Sequence, residues 1–293
     1  HDFELDGWAR WDMPTDDYYD TDAFPEDYTG YDGAEVWQFI HNRICFHDDS
    51  LKDEYDDDNW KADFNKAVSG MHSIISAQII RGLREKQEQG ETAEDNDDGG
   101  GNDNRWTLNP VVEFERRLSP RGETPLAIEN LYFCYMLLLT AVSRARERLL
   151  QDCDSGKISA SAASQLRPVL DYPLFDDPNI EVASRKLHDH AIKDSFSVTA
   201  LWEARMRTRE LFRIMNCVQC NKCRLHGKIS ALGLSTALQL LVGRTGEGGD
   251  VTRVHRVELA ALMTTLAKCT SAIQLCNEMQ SQLQETEASS SSS

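Results

Sequence analysis

Three thiols crowd into seven residues at Cys217-Val218-Gln219-Cys220-Asn221-Lys222-Cys223, and nowhere else in the chain do cysteines stand so close. Cysteines three apart on a helix or tight turn bring their Cα atoms to roughly 5 to 6 Å, inside the window a disulfide needs. Cys220 and Cys223 can therefore open and close a local bridge. A helix-like stretch from Arg224 to about Leu241 follows at once, so a thiol in its first turn meets the positive end of the macrodipole. Lys222 and Arg224 add charge of the same sign, and the thiolate is favoured. Downstream, Leu225, Ile229, Leu232 and Leu240 recur at near-helical spacing, while Gly227, Gly233 and Ser235 leave small positions where a flat cofactor could approach.

Metal chemistry competes for the same residues. An iron-sulfur signature begins with this spacing, but no fourth cysteine follows within a few residues and no Cys-Pro closes the run. A structural zinc site needs a fourth ligand; His226 is the nearest, and three residues after Cys223 it would crowd the metal on one turn. Inert buried thiols are the plainest reading of all, yet three of them beside two cations are an unusual way to fill a core.

With 293 residues, 40% hydrophobic and 27% charged, the chain can bury one substantial core, and a single domain is expected. Its 49 acidic and 31 basic residues leave a net charge of −18, which argues against nucleic acid or an anionic membrane surface as partner. No run of 18 apolar residues occurs and the first residue is His1, so a soluble, trimmed piece is expected, with at most peripheral membrane association. Eight cysteines in a chain of this length do not settle the redox compartment.

Residues 1–34, rich in Asp, Tyr and Trp and punctuated by Pro14 and Pro25, read as an irregular arm. A helical domain is expected over 35–284. It opens with a helix at 34–46 that carries Val36, Trp37, Ile40 and Ile44 on one face. From Trp60 to Leu83, Phe64, Val68, Met71, Ile75 and Ile79 form one stripe, and Ser69, His72 and Ser76 a second beside it. The segment 85–105, containing Asp95-Asn96-Asp97-Asp98-Gly99-Gly100-Gly101, has almost nothing to bury and reads as a disordered acidic insert. A short helix from Val112 to Leu118 carries Arg116 and Arg117. Leu126 to Leu150 is a long helix, residues 181–216 give one or two more with Trp202, Met206 and Phe212 as core, and Arg253 to Leu283 is the last. Cys134, Cys269 and Cys276 read as core thiols, because seven residues of helix rise about 10.5 Å and forbid a bridge between the last two. Residues 285–293 read as a disordered Ser-rich tail. No alternating strand pattern of any length occurs, so the fold class is all-α, with any flat cofactor between helices.

Cys-x-x-Cys-x-x-Cys-Arg-Leu-x-Gly-Lys, followed by Leu232-Gly233 and Thr236-Ala237-Leu238, resembles the endoplasmic reticulum oxidoreductins. Asp27-Tyr28-Thr29-Gly30-Tyr31 with Trp37, Ser69-Gly70-Met71-His72 and Asn130-Leu131-Tyr132-Phe133 agree with that family in the same order. The resemblance implies a flavin-dependent thiol oxidase of the endoplasmic reticulum lumen that reoxidises protein disulfide isomerase. It implies FAD as cofactor, molecular oxygen as terminal acceptor with hydrogen peroxide as product, and no metal. It also implies Cys220 and Cys223 as the catalytic pair, and Thr29, Trp37, Ser69, His72 and Arg117 as flavin contacts. Cys217 becomes structural on this reading. Asp27 and Ala127 stand where the family commonly has arginine, and Cys45 lacks its usual nearby partner. The flexible dicysteine that feeds electrons to the inner pair in the family has no counterpart before Cys217, so slow turnover of protein disulfide isomerase by this piece is expected. The alternative is a metal-stapled helical interaction module in which Cys217, Cys220 and Cys223 hold zinc.

Overall fold

The structure is a computed structural model and describes residues 44, 59–89, 109–118, 126–186, 198–217, 221–242 and 254–291. Among the described residues every regular element is helical: α1 (Asn59–Glu88), α2 (Pro110–Arg117), α3 (Leu126–Asp154), α4 (Ala160–Leu170), a 3-10 turn (Pro173–Asp176), α5 (Pro178–Lys186), α6 (Val198–Cys217), α7 (Asn221–Val242) and α8 (Arg256–Ser291). The all-α expectation holds.

α3 is the hub, packed against α1, α7 and α8 along its length and against α4 and α5 near its C-terminal end. α1 also lies against α2 and α8, and α6 closes over α7. One contiguous apolar cluster runs through α1, α2, α3, α6, α7 and α8, with Phe64, Met71, Ile74, Phe114, Leu131, Leu138 and Leu262 at its centre. α3 and the Arg256–Glu285 part of α8 are long and apolar enough to cross a membrane by length and composition. Their buried residues, such as Leu131, Leu138, Leu262 and Leu275, belong to that shared cluster.

Close helix crossings rest on glycine. A Cβ on Gly70 of α1 would meet the Asn130 carbonyl oxygen at 2.2 Å and Cys134 Cβ at 2.6 Å, both on α3. A Cβ on Gly233 would stand 2.2 Å from Thr265 Oγ1 and 2.8 Å from the Ala261 oxygen, both on α8. One on Gly227 would stand 2.3 Å from Met215 Sδ of α6. The small positions of α7 therefore admit neighbouring helices and not, as expected from the sequence, a flat cofactor at Gly227 or Gly233. Polar clasps fix the outer edges: Arg81 of α1 bonds Ser271 of α8, Arg84 Nη1 lies 2.7 Å from Glu278 Oε2, and Arg144 Nη1 donates to the Leu241 carbonyl at 3.0 Å.

Several expectations shift in detail. Ile75 and Ile79 of α1 are only partly covered while Ile74, Ala77 and Ile80 are buried. The seam follows the three-and-four alternation of a packed bundle, whereas repeated steps of four rotate off it. On α6 the buried face is Ala200, Ala204, Thr208, Leu211 and Met215; Met206, about 200° of helical turn from Ala204, is 40% exposed instead of core. Phe212 is half-buried, and Trp202 lies outside the described side chains. Leu225 at the start of α7 is 58% exposed, because the buried stretch of α7 begins only at Gly227. α1 continues through Glu88 and α8 through Ser291, so 85–88 and 285–291, expected to be disordered, are helical. In both places helix propagation adds one backbone bond per residue, which suffices for polar residues once a packed helix precedes them. The arm 1–34, the helix at 34–46 apart from the buried Ile44, and 90–105 of the acidic insert lie outside the described residues.

Candidate thiol and cofactor site

α6 is described through Cys217 and α7 from Asn221, so Cys217 ends one described helix and Cys223 lies near the start of the next. Cys223 sits in the first turn of α7, the position at which a helix favours an anion. Cys220 lies outside the described residues. His226, one turn after Cys223, has its Nδ1 3.2 Å from Lys268 Nζ of α8. Burial presses the Lys268 ammonium below its ordinary pKa. A cation at that nitrogen is a poor companion for a metal, and among the described residues no group of three His, Cys, Asp or Glu side chains is arranged to hold one.

Ser69 and His72 lie on α1 opposite the start of α3. Asn130 Nδ2 donates to Ser69 Oγ at 3.0 Å, and Ser73 Oγ donates to the Ala127 carbonyl at 2.8 Å. With Gly70 beneath the Asn130 carbonyl, the Ser69-Gly70 and Asn130 segments turn out to be the two halves of one helix crossing. His72 is partly covered: desolvation first, and the Arg117 charge second, press its pKa down to about 4. It is therefore a neutral imidazole at pH 7, able to donate and accept hydrogen bonds but carrying no charge. One turn further along, Ser76 Oγ is buried and has no hydrogen-bond partner.

Arg117 reaches this region from α2. Asn109 caps that helix by accepting from Val111 N at 2.9 Å, Pro110 occupies its first position, and Phe114 and Leu118 anchor it in the core. The two arginines of α2 differ sharply: the Arg117 side chain is 8% exposed and that of Arg116 55%. Both bind one carboxylate, Glu113, which is 2% exposed; Arg117 Nε and Arg116 Nη2 each lie 2.8 Å from its Oε2. Burial raises the Glu113 pKa, and the hydrogen bonds and charges of Arg116 and Arg117 outweigh that, so the carboxyl stays ionised below its ordinary range. Nothing in the motif reading singled out Glu113. The signal was present in Glu113-Phe114-Glu115-Arg116-Arg117, an acid three and four residues before two arginines.

A buried guanidinium, a neutral imidazole within its field and an orphaned buried hydroxyl suit a ligand that has an anionic diphosphate and a polar heteroaromatic ring, as a flavin dinucleotide does. Of the expected flavin contacts, the structure brings His72 and Arg117 together, with Ser69 one turn before His72. Thr29 and Trp37 lie outside the described residues. The remaining described thiols, Cys134, Cys153, Cys269 and Cys276, are unbridged and buried, in agreement with the core role expected of Cys134, Cys269 and Cys276.

Similarity to known proteins runs along the whole site. The family model described as Endoplasmic Reticulum Oxidoreductin 1 (ERO1) matches residues 6–276. The chain is 26% identical to ERO1-like protein alpha of Homo sapiens over 97% of this chain and 66% of that protein. It is 29% identical to ERO1-like protein alpha of Mus musculus over 82% of this chain and 55% of that one. Against endoplasmic reticulum oxidoreductin-1 of Arabidopsis thaliana it is 27% identical over 89% and 52%. The chain thus spans between about half and two thirds of the length of these relatives. A crystal structure of a double cysteine-to-alanine mutant of Ero1p matches with a TM-score of 0.55 and 23% identity over 86% of this chain and 65% of that one, which shows a shared fold. Because the family model covers the thiol cluster, the Ser69-to-His72 segment and Arg117 in one continuous match, the chain belongs to the endoplasmic reticulum oxidoreductin 1 family.

Proposed function

We propose that the chain is a thiol oxidase of the endoplasmic reticulum lumen that makes disulfides through Cys220 and Cys223, with FAD as the electron acceptor. The observation that carries the reading is the placement of Cys223 in the first turn of α7, within a Cys-x-x-Cys pair. The electron donor is a dithiol of a thioredoxin-fold partner of the protein disulfide isomerase type. A donor thiolate, from a small dithiol or from a dithiol that relays the partner's electrons, attacks the Cys220–Cys223 disulfide, one sulfur leaves as a thiolate, and the donor's second thiol resolves the mixed disulfide. The donor gains a disulfide and the pair gains two electrons and two protons. The positive end of α7 stabilises the thiolate form of the inner cysteine. When bound, FAD would supply a two-electron acceptor for that dithiol, with oxygen as the onward acceptor and hydrogen peroxide as the product.

The chain's own contribution is to hold the cofactor. Arg117 offers a charge-assisted contact to the diphosphate. His72 offers hydrogen bonds without adding charge, and Ser69 orients that face through Asn130. Thr29 and Trp37 complete the set, the indole by stacking on a heteroaromatic ring.

A visible absorption spectrum of the purified protein tests the cofactor, and anaerobic bleaching by a small dithiol tests the pair. The yellow colour should persist in Cys220→Ser and Cys223→Ser while bleaching stops, and Cys217→Ser should lower stability more than rate. A colourless, folded protein defeats the reading outright, and one that also retains zinc through Cys217, Cys220 and Cys223 establishes the metal-stapled alternative.

A further inference from the structure

We infer that Glu113 is a positioning residue for the cofactor diphosphate: a buried carboxylate that grips Arg117 along its Nε edge and presents a preformed guanidinium to the anion. The inference rests on Arg117 being a flavin contact, as proposed above.

Three N–H groups from two arginines converge on a single oxygen, Glu113 Oε2, at 2.8 Å from Arg117 Nε, 2.8 Å from Arg116 Nη2 and 3.3 Å from Arg116 Nε. A carboxylate this deeply covered is costly unless it is paired, and a lone arginine would satisfy it. The grip on Arg117 is a hydrogen bond as well as a charge contact, so its guanidinium is held at a fixed place on α2. Both contacts follow from α-helical spacing, three and four residues on, and α2 itself is held by the Asn109 cap and by Phe114 and Leu118 in the core. The carboxylate therefore cannot drift. An arginine on a flexible stem loses side-chain entropy when it closes on a phosphate, and one already held by Glu113 has lost it on folding. Engagement through Nε leaves the orientation of the planar fork defined, which is the property that separates Arg from Lys at a diphosphate. His72 lies within the field of the same guanidinium, so the geometry Glu113 sets reaches the neighbouring contact as well.

The opposing effect is that Glu113 is itself an anion near the diphosphate, and its neutralisation alone should tighten binding. The two effects differ in sign, and the experiment reads which one wins. Flavin-stripped protein is titrated with FAD and with riboflavin, which lacks the diphosphate, by fluorescence quenching. Glu113→Gln should weaken FAD by about tenfold or more and leave riboflavin unchanged. Arg116→Ala should leave FAD near the wild-type value, because the positioned group is Arg117. If Glu113→Gln fails to fold, Glu113→Asp, which keeps the charge but draws the carboxylate back by one methylene, should show the same FAD-selective loss. Equal loss of FAD and riboflavin would reduce Glu113 to a fold residue, and unchanged or tighter FAD binding overturns the inference directly. Failure of the wild-type protein to bind FAD is read separately, on the wild type alone, and removes the flavin reading together with the inference.

Discussion

His72 shows how a residue's surroundings set its chemistry. In the folded chain its pKa is about 4, from burial and then the Arg117 charge, against about 6.5 in the unfolded chain. Between those values the unfolded state binds the extra proton and the folded state does not, so stability falls as pH drops from about 6.5 to about 4 and levels off below. The full effect is of order 3 kcal/mol. Urea unfolding of the wild type at pH 7 and at pH 4.5 should show most of that loss, and His72→Asn should flatten the profile across this window. Glu113 acts in the same direction at lower pH, since its depressed pKa stabilises the ionised, arginine-bound form. His72→Ala should also release flavin, checked by the absorbance of the filtrate after gel filtration. The histidine was legible from its place in Ser69-Gly70-Met71-His72. Its neutral state was not, because Arg117 is 45 residues away along the chain and meets it only through the packing of α2 on α1.

Within α1, two glycines twelve residues apart on one helix have opposite meanings. Gly70 lies where α1 touches α3, and a methyl group there would meet backbone at 2.2 Å. Gly70→Ala must force the helices apart and should cost about 2 to 4 kcal/mol in denaturant unfolding. At Gly82 a Cβ meets nothing within 4 Å, so Gly82→Ala should stabilise by up to about 1 kcal/mol through helix propensity alone. Equal effects at the two sites would contradict the close crossing. Helix propensity and apolar period are local, so the existence of α1, α2, α3 and α8 could be read from the chain. Which glycine carries a crossing could not, since both sit in helical sequence and only the partner helix distinguishes them.

Across the whole molecule, four thiols are buried, three of them, Cys134, Cys269 and Cys276, in the contiguous core shared by the helices. Burial pushes the Cys276 thiol up to about 11, and burial followed by the neighbouring Cys134 raises Cys269 well above its usual value. Thiolate is the reactive form, so Cys269 and Cys276 are protected both by access and by protonation, and Cys134 and Cys153 by access. Aromatic disulfide reagents should leave Cys134, Cys153, Cys269 and Cys276 unmodified in native conditions. All four should become labelled together across the unfolding transition, as peptide mass mapping would show. Early labelling of Cys269 would mean that α8 opens independently of α3. Oxygen consumption belongs to this scale too. With no second closely spaced cysteine pair before Cys217, this chain should turn over small dithiols slowly and a reduced isomerase hardly at all, and brisk turnover of the isomerase would point to Cys45 as a shuttle thiol, since Cys134 and Cys153 are buried.

The amino-acid sequence by itself determined the helical class and the long helices, because hydrophobic period and backbone propensity act over one or two turns. It also marked the thiol cluster, because a Cys-x-x-Cys spacing is itself a geometric statement. Tertiary structure alone decided that Gly227 and Gly233 admit helices instead of a ligand and that Met206 and Leu225 face outward. It decided as well that Arg117 is the buried arginine of its pair, and that Glu113 holds it. Each of those depends on which face of a helix meets which neighbour. A rotation of one residue, about 100°, moves a side chain from seam to surface without changing the periodic pattern enough to be noticed in the chain.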